Sequence, residues 1–336
     1  MKRVILNRLI GLPLVLLGLI TLTFLLTRGI ASDPIYGILS PRALMNEQFV
    51  AQTREKYGLD DPIFIQYVKY LWSTVQGDLG ISFRTRQPIM SDLLSKTPAT
   101  LELIILSLTI AGLLGITLGC LSARFEGSPL DIAIRAISLV GSSVPVFWLA
   151  ILLLYFGSVV LGWFPGPGRI SQRIAPLDDG TGFLLIDALV QGRGDAFQSA
   201  IRQLLLPSIV LAWSILGTIT RLVRASMLDA MQSDFITLAR AKGVGSWTIT
   251  LRHALRASLL STITILAHVF GYLITGAVLV EAIFAWPGLG AYAIESARAL
   301  DYPAILGVTL VSGVTFIIVN LFADILYTVA DPRIRQ

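Results

Sequence analysis

The sequence predicts an all-α integral membrane protein with six transmembrane helices. Hydrophobic residues make up 54% of its 336 residues, and only 14% are charged. Soluble domains are usually about 25% charged, so this chain carries more apolar surface than an aqueous fold would bury. The apolar residues are also gathered into six runs, each near the roughly 20 residues that a helix needs to cross a bilayer.

The six runs are separated by polar segments. Spans are predicted at residues 9–27, 103–123, 132–161, 204–222, 259–284 and 304–329. The third run is longer than a span requires and contains Pro145, which removes a helical hydrogen bond and is expected to kink the helix. The first run follows basic residues, as in a signal peptide, but its apolar core of about 18 residues exceeds the 7–15 of a cleaved signal. We therefore expect it to remain as a span.

The polar segments predict the domain organisation. A transmembrane helix in residues 1–28 precedes an external loop domain in residues 29–98, and residues 99–336 contain the other five spans. The loop domain is expected to fold, because four apolar or aromatic residues after Pro62 share one face of a helix. This stripe consists of Ile63, Tyr67, Tyr70 and Leu71.

Basic residues in the short connections predict the orientation in the membrane. They cluster before the first span, between the fourth and fifth, and after the last: Lys2, Arg3, Arg8, Arg240, Lys242, Arg252, Arg256, Arg333 and Arg335. Connections that are rich in Lys and Arg lie in the cytoplasm. Both termini and the segment 225–257 are therefore predicted to be cytoplasmic.

The segment 225–257 is predicted to form a helix, a break at Gly243 and Gly245, and a second helix. It combines basic residues with small ones that would let another protein approach closely: Ala239, Arg240, Ala241, Lys242, Ala254 and Ala257. This pattern is that of a docking surface. The alternative is a cytoplasmic loop whose basic residues lie near lipid headgroups. The residues alone leave both interpretations open.

Polar residues near the ends and breaks of the spans are candidates for a translocation path or gate. The candidates are Ser142, Ser143, Pro145, Glu281, Trp286, Pro287 and Gly288. Hydroxyls and carbonyls freed near Pro145 would line a polar path, or this region simply packs. Glu102 and Glu281 lie toward helix ends, where interfacial solvation is expected. Trp286 suits either a gate or an anchor at the headgroups.

Several functional classes lack the residues they require. Two His and one Cys are too few for a structural zinc site or a disulfide. The chain has no Gly-x-x-x-x-Gly-Lys-Ser/Thr phosphate loop and no His-Glu-x-x-His, so we expect neither ATP hydrolysis nor enzymatic activity. An ion-coupled secondary transporter remains as the alternative class, although no internal repeat is obvious.

The cytoplasmic segment resembles that of permease subunits from binding-protein-dependent ABC importers, in the dipeptide, oligopeptide and nickel branch. The resemblance rests on Asp234-Phe-Ile-x-x-Ala-Arg-Ala-Lys-Gly243 and Leu251–Arg256, and on further matches in the family's order at Tyr57–Ile63, Gly77–Phe83, Glu281–Gly290 and Asp331–Arg335. Thr237 and Leu238 replace the Glu and first Ala of the family's Glu-Ala-Ala pattern. Ser261 stands where the branch commonly has Pro.

The resemblance implies the type I ABC importer permease fold in the bacterial inner membrane. It implies four kinds of partner besides the bilayer: a second homologous permease, two cytoplasmic ABC ATPase subunits, and a periplasmic or surface substrate-binding protein. ATP and Mg would be bound by the ATPases, with no cofactor in this chain and no nucleic acid. The ATPase-docking residues implied are Asp234, Thr237, Ala239, Arg240, Ala241, Lys242 and Gly243. Peptides are the favoured substrates, while nickel, glutathione, opines and sugars stay open.

Overall fold

The computed structural model describes residues 13–26, 35, 39, 43–178 and 180–330. Within these residues the regular structure is helical, and the only β contact is an isolated bridge between Ile81 and Pro88. The predicted all-α class is therefore confirmed. The basic amino terminus and the Asp331–Arg335 motif lie outside the described residues.

Twelve α-helices account for most of the described chain. They are α1 Pro13–Leu26, α2 Glu47–Tyr57, α3 Ile63–Val75, α4 Ile89–Arg124, α5 Pro129–Ser143, α6 Val146–Leu154, α7 Leu184–Val190, α8 Gly194–Met231, α9 Asp234–Ala241, α10 Leu255–Ile283, α11 Leu289–Arg298 and α12 Tyr302–Ala330. A π-helix, Tyr155–Val160, continues α6. A short helical turn, Ser246–Thr248, and a π-helix, Ile249–Ala254, lead into α10.

The chain divides into two compact units. The core unit contains Ala99–Pro287 and Ile318–Gln336, and the flanking unit contains Lys2–Pro98 and Gly288–Ile317. Helices α4 and α12 each contribute to both units.

Helix α8 is the centre of the core unit. It packs against α5 and α10, and 72% of its most apolar window is buried, the largest share of any candidate span. Gly217 of α8 lies so close to the carbonyl oxygen of Ser138 in α5 that no side chain fits between them. Gly115 and Gly119 of α4 face Ile219 and Val223 of α8 in the same way. Small residues at such crossings allow close contact between membrane helices.

The third predicted span is broken rather than kinked. Helices α5 and α6 are bent by 98° relative to one another. Val144 between them is extended, with φ −81° and ψ 125°, because the ring of the following proline disfavours the helical conformation. The predicted interruption at Pro145 is confirmed, and the change of direction exceeds that of a simple proline kink.

In the part of the chain that the structure describes, four helical segments are long and apolar enough to cross a membrane: Ile89–Arg124, Gly194–Met231, Ile265–Ile283 and Tyr302–Ala323. The bent pair of α5 and α6 makes a fifth span if its two parts are counted together. Helix α1 is apolar but shorter than these. Each predicted span thus corresponds to a helix, while the count of six spans stays a prediction.

In the flanking unit, α3 packs against α1. The ring of Phe24 lies 5.3 Å from that of Tyr67 and 5.6 Å from that of Tyr70. The hydroxyls of Thr21 and Tyr67 are hydrogen-bonded at 2.7 Å. Tyr67 and Tyr70 therefore pack against α1 as members of the predicted stripe. Ile63, at the start of the stripe, is 63% exposed.

A second cluster in the flanking unit joins the start of α4 to α11 and α12. Its buried members are Ile89, Leu93, Leu289, Tyr292, Ala304 and Val308. The Tyr292 hydroxyl donates to Asp92 over 3.0 Å, and burial together with that carboxylate raises the pKa of Tyr292 to about 12. Tyr292 therefore stays neutral and serves as a hydrogen-bond donor in this cluster.

Candidate functional site

The predicted helix–break–helix of segment 225–257 is present. Helix α9 ends at Ala241, and helical structure resumes at Ser246. Gly243 between them has φ +76°, a left-handed conformation that glycine adopts without steric cost. We call Asp234–Ser246 the elbow. The turn depends on the positive φ of Gly243 and not on the space around it, because a Cβ there would meet open space.

Most of the elbow is exposed, apart from two buried residues and the half-buried Val244, which also packs against the core. Ile236 is fully buried and Ala239 is 9% exposed, and both belong to the core-unit cluster. Leu238 is 56% exposed, and Arg240 and Lys242 are also exposed. The expectation that Ala239 offers space to another protein is wrong, because its side chain faces the core of its own unit.

The remaining predicted docking positions divide by burial. Asp234, Thr237, Ala241 and Gly243 are exposed with Arg240 and Lys242. Ala254, in the π-helix that follows, is fully buried. The expected approach surface at Ala254 is therefore wrong as well, whereas Ala257 is exposed as that surface requires.

Arg124, the last residue of α4, holds the far end of the elbow. Its Nη2 donates to Ser246 Oγ over 2.9 Å, and its guanidinium lies over the rings of Phe125 and Trp247, 5.6 Å from each centroid. A cation over an aromatic face adds attraction to the hydrogen bond. The elbow is thus joined directly to a membrane-spanning helix.

A buried ion pair lies at the same end of the core unit. The guanidinium of Arg224 in α8 donates from Nε and Nη2 to the two carboxylate oxygens of Asp131 in α5, over 2.9 and 3.0 Å. Asp131 is 1% exposed and also accepts from Ser122 Oγ and the Gly127 amide. The carboxylate therefore links α4, α5 and α8. Sequence reasoning missed this pair; its one local signal is an acid in the first turn of a helix capped by Ser128.

Glu281 and Trp286 lie at the opposite end of the core unit, and both are buried. Glu281 is fully buried and accepts from Thr100 Oγ1 over 2.6 Å. Trp286 is 1% exposed, and its Nε1 donates to the carbonyl of Ala99 over 2.8 Å. The expectations of interfacial solvation for Glu281 and a headgroup anchor at Trp286 are therefore wrong. Ala285, with φ +47°, turns the chain back after α10.

A second buried ion pair lies beside Trp286. Arg169 Nη2 donates to Glu102 Oε2 over 2.6 Å and to the carbonyl of Gly182 over 2.7 Å. The other oxygen of Glu102 accepts from the Leu185 amide, and the guanidinium lies 5.9 Å from the Trp286 ring centroid. Glu102 is 8% exposed, so its expected interfacial position is wrong. The pair fastens the Pro/Gly-rich connection before α7 to the start of the core-unit part of α4.

Asp187 shapes the turn that presents Gly182 to Arg169. It accepts from the amide and hydroxyl of Thr181, each over 2.8 Å, and from the Gly182 amide over 3.0 Å. Burial raises its pKa, but these hydrogen bonds and Arg169 outweigh burial, so the pKa of Asp187 is lowered. Among the residues that the structure describes, no three His, Cys, Asp or Glu side chains form a group that would hold a metal ion.

Ser142, Ser143 and Pro145 lie at the break between α5 and α6. The hydroxyls of Ser142 and Ser143 donate to backbone carbonyls of their own helix, and Ser142 accepts from Arg221 over 3.0 Å. Ser143 and Pro145 line a mainly apolar groove of about 510 Å³. The break thus presents an apolar surface, and its hydroxyls stabilise the end of α5.

Comparison with known protein families assigns the chain to a class of membrane protein. Residues 115–336 match the model for "Binding-protein-dependent transport system inner membrane component". Residues 1–104 match the amino-terminal model of the same kind of membrane component. The chain belongs to this permease family.

Individual members of the family are similar over nearly the whole permease. The probable D,D-dipeptide transport system permease protein DdpB of Escherichia coli (strain K12) is 40% identical, covering 97% of this chain and 95% of that protein. The di/tripeptide transport system permease protein DppB of Pseudomonas aeruginosa (strain UCBPP-PA14) is 38% identical, covering 95% and 94%. The oligopeptide transport system permease protein AppB of Bacillus subtilis (strain 168) is 37% identical, covering 99% and 98%.

These comparisons confirm the resemblance to the dipeptide and oligopeptide branch. The related proteins are transport permeases rather than enzymes. The family consists of inner-membrane components, in agreement with the apolar helices of this permease. The departures at Thr237 and Leu238 therefore do not remove the chain from the family.

Proposed function

We propose that this chain is the membrane-spanning permease subunit of an ATP-driven peptide importer and couples to cytoplasmic ATPases through the elbow. The observation that carries the proposal is the division of the elbow into an exposed outer face and a buried inner face. Leu238, Arg240 and Lys242 are exposed, whereas Ile236 and Ala239 are held in the core. Such a segment can receive force on one side and deliver it on the other.

The contacts behind the elbow supply a route for that force. Movement of the elbow would reach α4 through Ser246 and Arg124. From α4 the movement would reach α5 through the hydrogen bond between Ser122 and Asp131. It would then reach α8 through the ion pair between Asp131 and Arg224. Packed side chains and ion pairs of this kind carry coupling between distant sites when they join rigid helices. Closure of an ATPase pair would therefore move several spans together.

The proposed assembly follows from membership of the family. Two homologous permeases would form the pathway, two ATPases would bind ATP and Mg, and an external binding protein would deliver the substrate. In this arrangement α1, α4, the α5–α6 pair, α8, α10 and α12 form six spans. Both termini and the segment 225–257 are cytoplasmic, and residues 29–98 form an external loop domain. Peptides are the proposed substrates, because the related permeases are named for dipeptides, tripeptides and oligopeptides.

We further propose that the buried cluster around Trp286 forms part of the external gate. Ala99, Thr100, Glu281 and Trp286 join the start of the core-unit part of α4 to the end of α10. The neighbouring candidates are Pro287 and Gly288, which lead from this turn into α11. Opening of the pathway would separate these contacts. Ser142, Ser143 and Pro145 are proposed to line the path at the break between α5 and α6, where two hydroxyls lie beside an apolar groove.

The elbow is tested in proteoliposomes that contain the complete importer and its binding protein. Arg240→Glu and Lys242→Glu should each reduce ATPase binding and ATP-dependent peptide uptake by about 10-fold, since reversed charges in an interface are strongly unfavourable. Arg298→Glu reverses an exposed charge on α11 and is the matched control for ATPase binding. Uphill transport by the permease alone, driven by an ion gradient, would instead establish the secondary transporter.

A further inference from the structure

A basic groove lies beside the elbow. It has a volume of about 580 Å³ and is formed by the start of α9, the π-helix before α10 and the first turns of α10. The residues that define this basic groove are Phe235, Arg252, His253, Arg256, Leu259 and Ile263. It is separate from the pocket that Arg124 and Arg240 line behind the elbow.

The polarity of the basic groove changes along its length. Arg252, His253 and Arg256 lie toward the elbow, and Leu259 and Ile263 follow on the same helical run. At 1.5 Å per residue, Ile263 is about 10 Å further along the axis than Arg256. The span Ile265–Ile283 begins just beyond it. The groove therefore has a cationic end and an apolar end, and the apolar end leads into the membrane.

The basic side chains of the groove have no carboxylate partner among the described residues. The ion pairs formed within the described chain include Arg169 and Arg224 but none of Arg252, His253 and Arg256. Arg252 and Arg256 are exposed, and Phe235 exposes 48% of its surface at the same site. Two guanidiniums beside an apolar wall fit a ligand with an anionic head and a hydrocarbon chain.

We propose that the basic groove binds an anionic glycerophospholipid from the adjoining leaflet. Its phosphate contacts Arg252 and Arg256, and one acyl chain lies along Leu259 and Ile263. A soluble anion would satisfy the arginines but leave the apolar wall exposed. A protein carboxylate would not explain the continuation of the wall toward the span. Because Phe235 belongs to α9, the lipid also contacts the elbow, and the composition of the leaflet influences how firmly the elbow is held.

Native mass spectrometry of the delipidated full-length chain tests this site without any transport assay. The probes are phosphatidylglycerol and phosphatidylcholine with identical acyl chains, and glycerol phosphate without acyl chains. The wild type should retain phosphatidylglycerol in preference to the other two. Arg252→Gln combined with Arg256→Gln should weaken its retention roughly 10-fold or more, and Ile263→Asn should weaken it through the apolar wall. Arg298→Gln, which removes an exposed charge outside the groove, should leave it unchanged.

Each contrary result overturns the lipid site. Equal retention of phosphatidylglycerol by the double variant and the wild type removes the arginines from the site. Equal binding of glycerol phosphate identifies a site for soluble anions. Retention of no phosphatidylglycerol by the wild type overturns the site directly. None of these results bears on peptide uptake, so the proposed transport function stands or fails separately.

Discussion

The two ends of the core unit treat charged groups in opposite ways. Near Trp286, Glu102 and Glu281 are buried and hydrogen-bonded within the unit, and Arg169, which pairs with Glu102, is only 15% exposed. At the end that carries the elbow, Asp131 and Arg224 are paired with each other, but Arg240 and Lys242 of the elbow are exposed. A buried charge is stable only with a partner, whereas an exposed one is solvated until a partner arrives. One end thus satisfies its charged groups with its own residues, and the other leaves two charges exposed, as the docking proposed above would require.

This comparison separates two kinds of mutational effect. Changes to the buried pairs should act on folding and on the connection between helices. Substitutions of the exposed residues of the elbow should leave folding intact and alter the coupling of ATP hydrolysis to uptake. A variant of a buried pair that changes only coupling, or a variant of the elbow that unfolds the chain, would contradict this distinction.

The largest effect is expected at Asp131. Asp131→Ala leaves the guanidinium of Arg224 with only the exposed carboxylate of Glu126, 3.7 Å away, and should lower the free energy of unfolding by about 3–5 kcal/mol. Thermal unfolding of the purified chain in nanodiscs measures the loss. The control is Asp131→Leu combined with Arg224→Met, which removes both charges and should restore much of the stability. A single variant as stable as the wild type would show that the pair does not hold α5 to α8.

A smaller loss of stability is expected at the crossing of α5 and α8. The new methyl group of Gly217→Ala would press against the carbonyl oxygen of Ser138, and overpacking of this kind costs about 1–3 kcal/mol. The same assay measures the change. Gly276→Ala is the matched control on α10, because its Cβ would lie 3.5 Å from the nearest atom, Leu211 Cδ2, an ordinary packing distance.

Substitution of Gly243 should act mainly on coupling, whereas substitution of Gly217 acts on packing. A Cβ at Gly243 meets open space, but its φ of +76° strains other residues by about 1–2 kcal/mol. Gly243→Leu should therefore leave membrane insertion intact while uncoupling ATP hydrolysis from uptake. The ratio of ATP hydrolysed to peptide imported measures the effect. Unchanged transport by this variant would count against docking at the elbow.

The end of the core unit near Trp286 offers a milder test. Trp286→Phe keeps most of the ring but loses the Nε1 bond to the Ala99 carbonyl, which should cost about 1 kcal/mol. If this cluster is the gate, the variant also favours the open state, and a cysteine at Thr100 should be labelled faster. Labelling that does not change across nucleotide states, in the variant and in the wild type alike, would remove the cluster from the gate.

The smallest effect concerns acid and the turn at Asp187. Its pKa is lowered in the folded chain, so the folded state binds fewer protons than the unfolded state as the pH falls. The stabilisation is present above the ordinary aspartate pKa of about 3.9 and is lost as the pH falls through the folded value. Protection of the Thr181 and Gly182 amides, measured against their intrinsic exchange rates at each pH, should fall over that range. Asp187→Asn should remove the pH dependence.

The helical class, the positions of the six apolar segments, the break at Pro145 and the helix–turn–helix of the elbow were all predictable from the sequence. Each depends on residues close together in the chain. An apolar run of about 20 residues predicts a span, a proline predicts a break, and a glycine after a basic helix predicts a turn, each from neighbouring residues alone. The family was likewise recognisable from motifs whose order is preserved along the chain.

The tertiary structure alone decided which polar groups are buried and what they contact. Arg224 lies 93 residues from Asp131, Arg169 lies 67 from Glu102, and Glu281 lies 181 from Thr100. No local pattern distinguishes these residues from charges at a lipid interface, because a buried ion pair is defined by its partner and by the exclusion of water. The same reason explains why Ala239 and Trp286 turned inward, against expectation. Composition and spacing determined that this is a membrane protein with a basic elbow. Packing determined which of its charged groups are buried with partners and which are exposed.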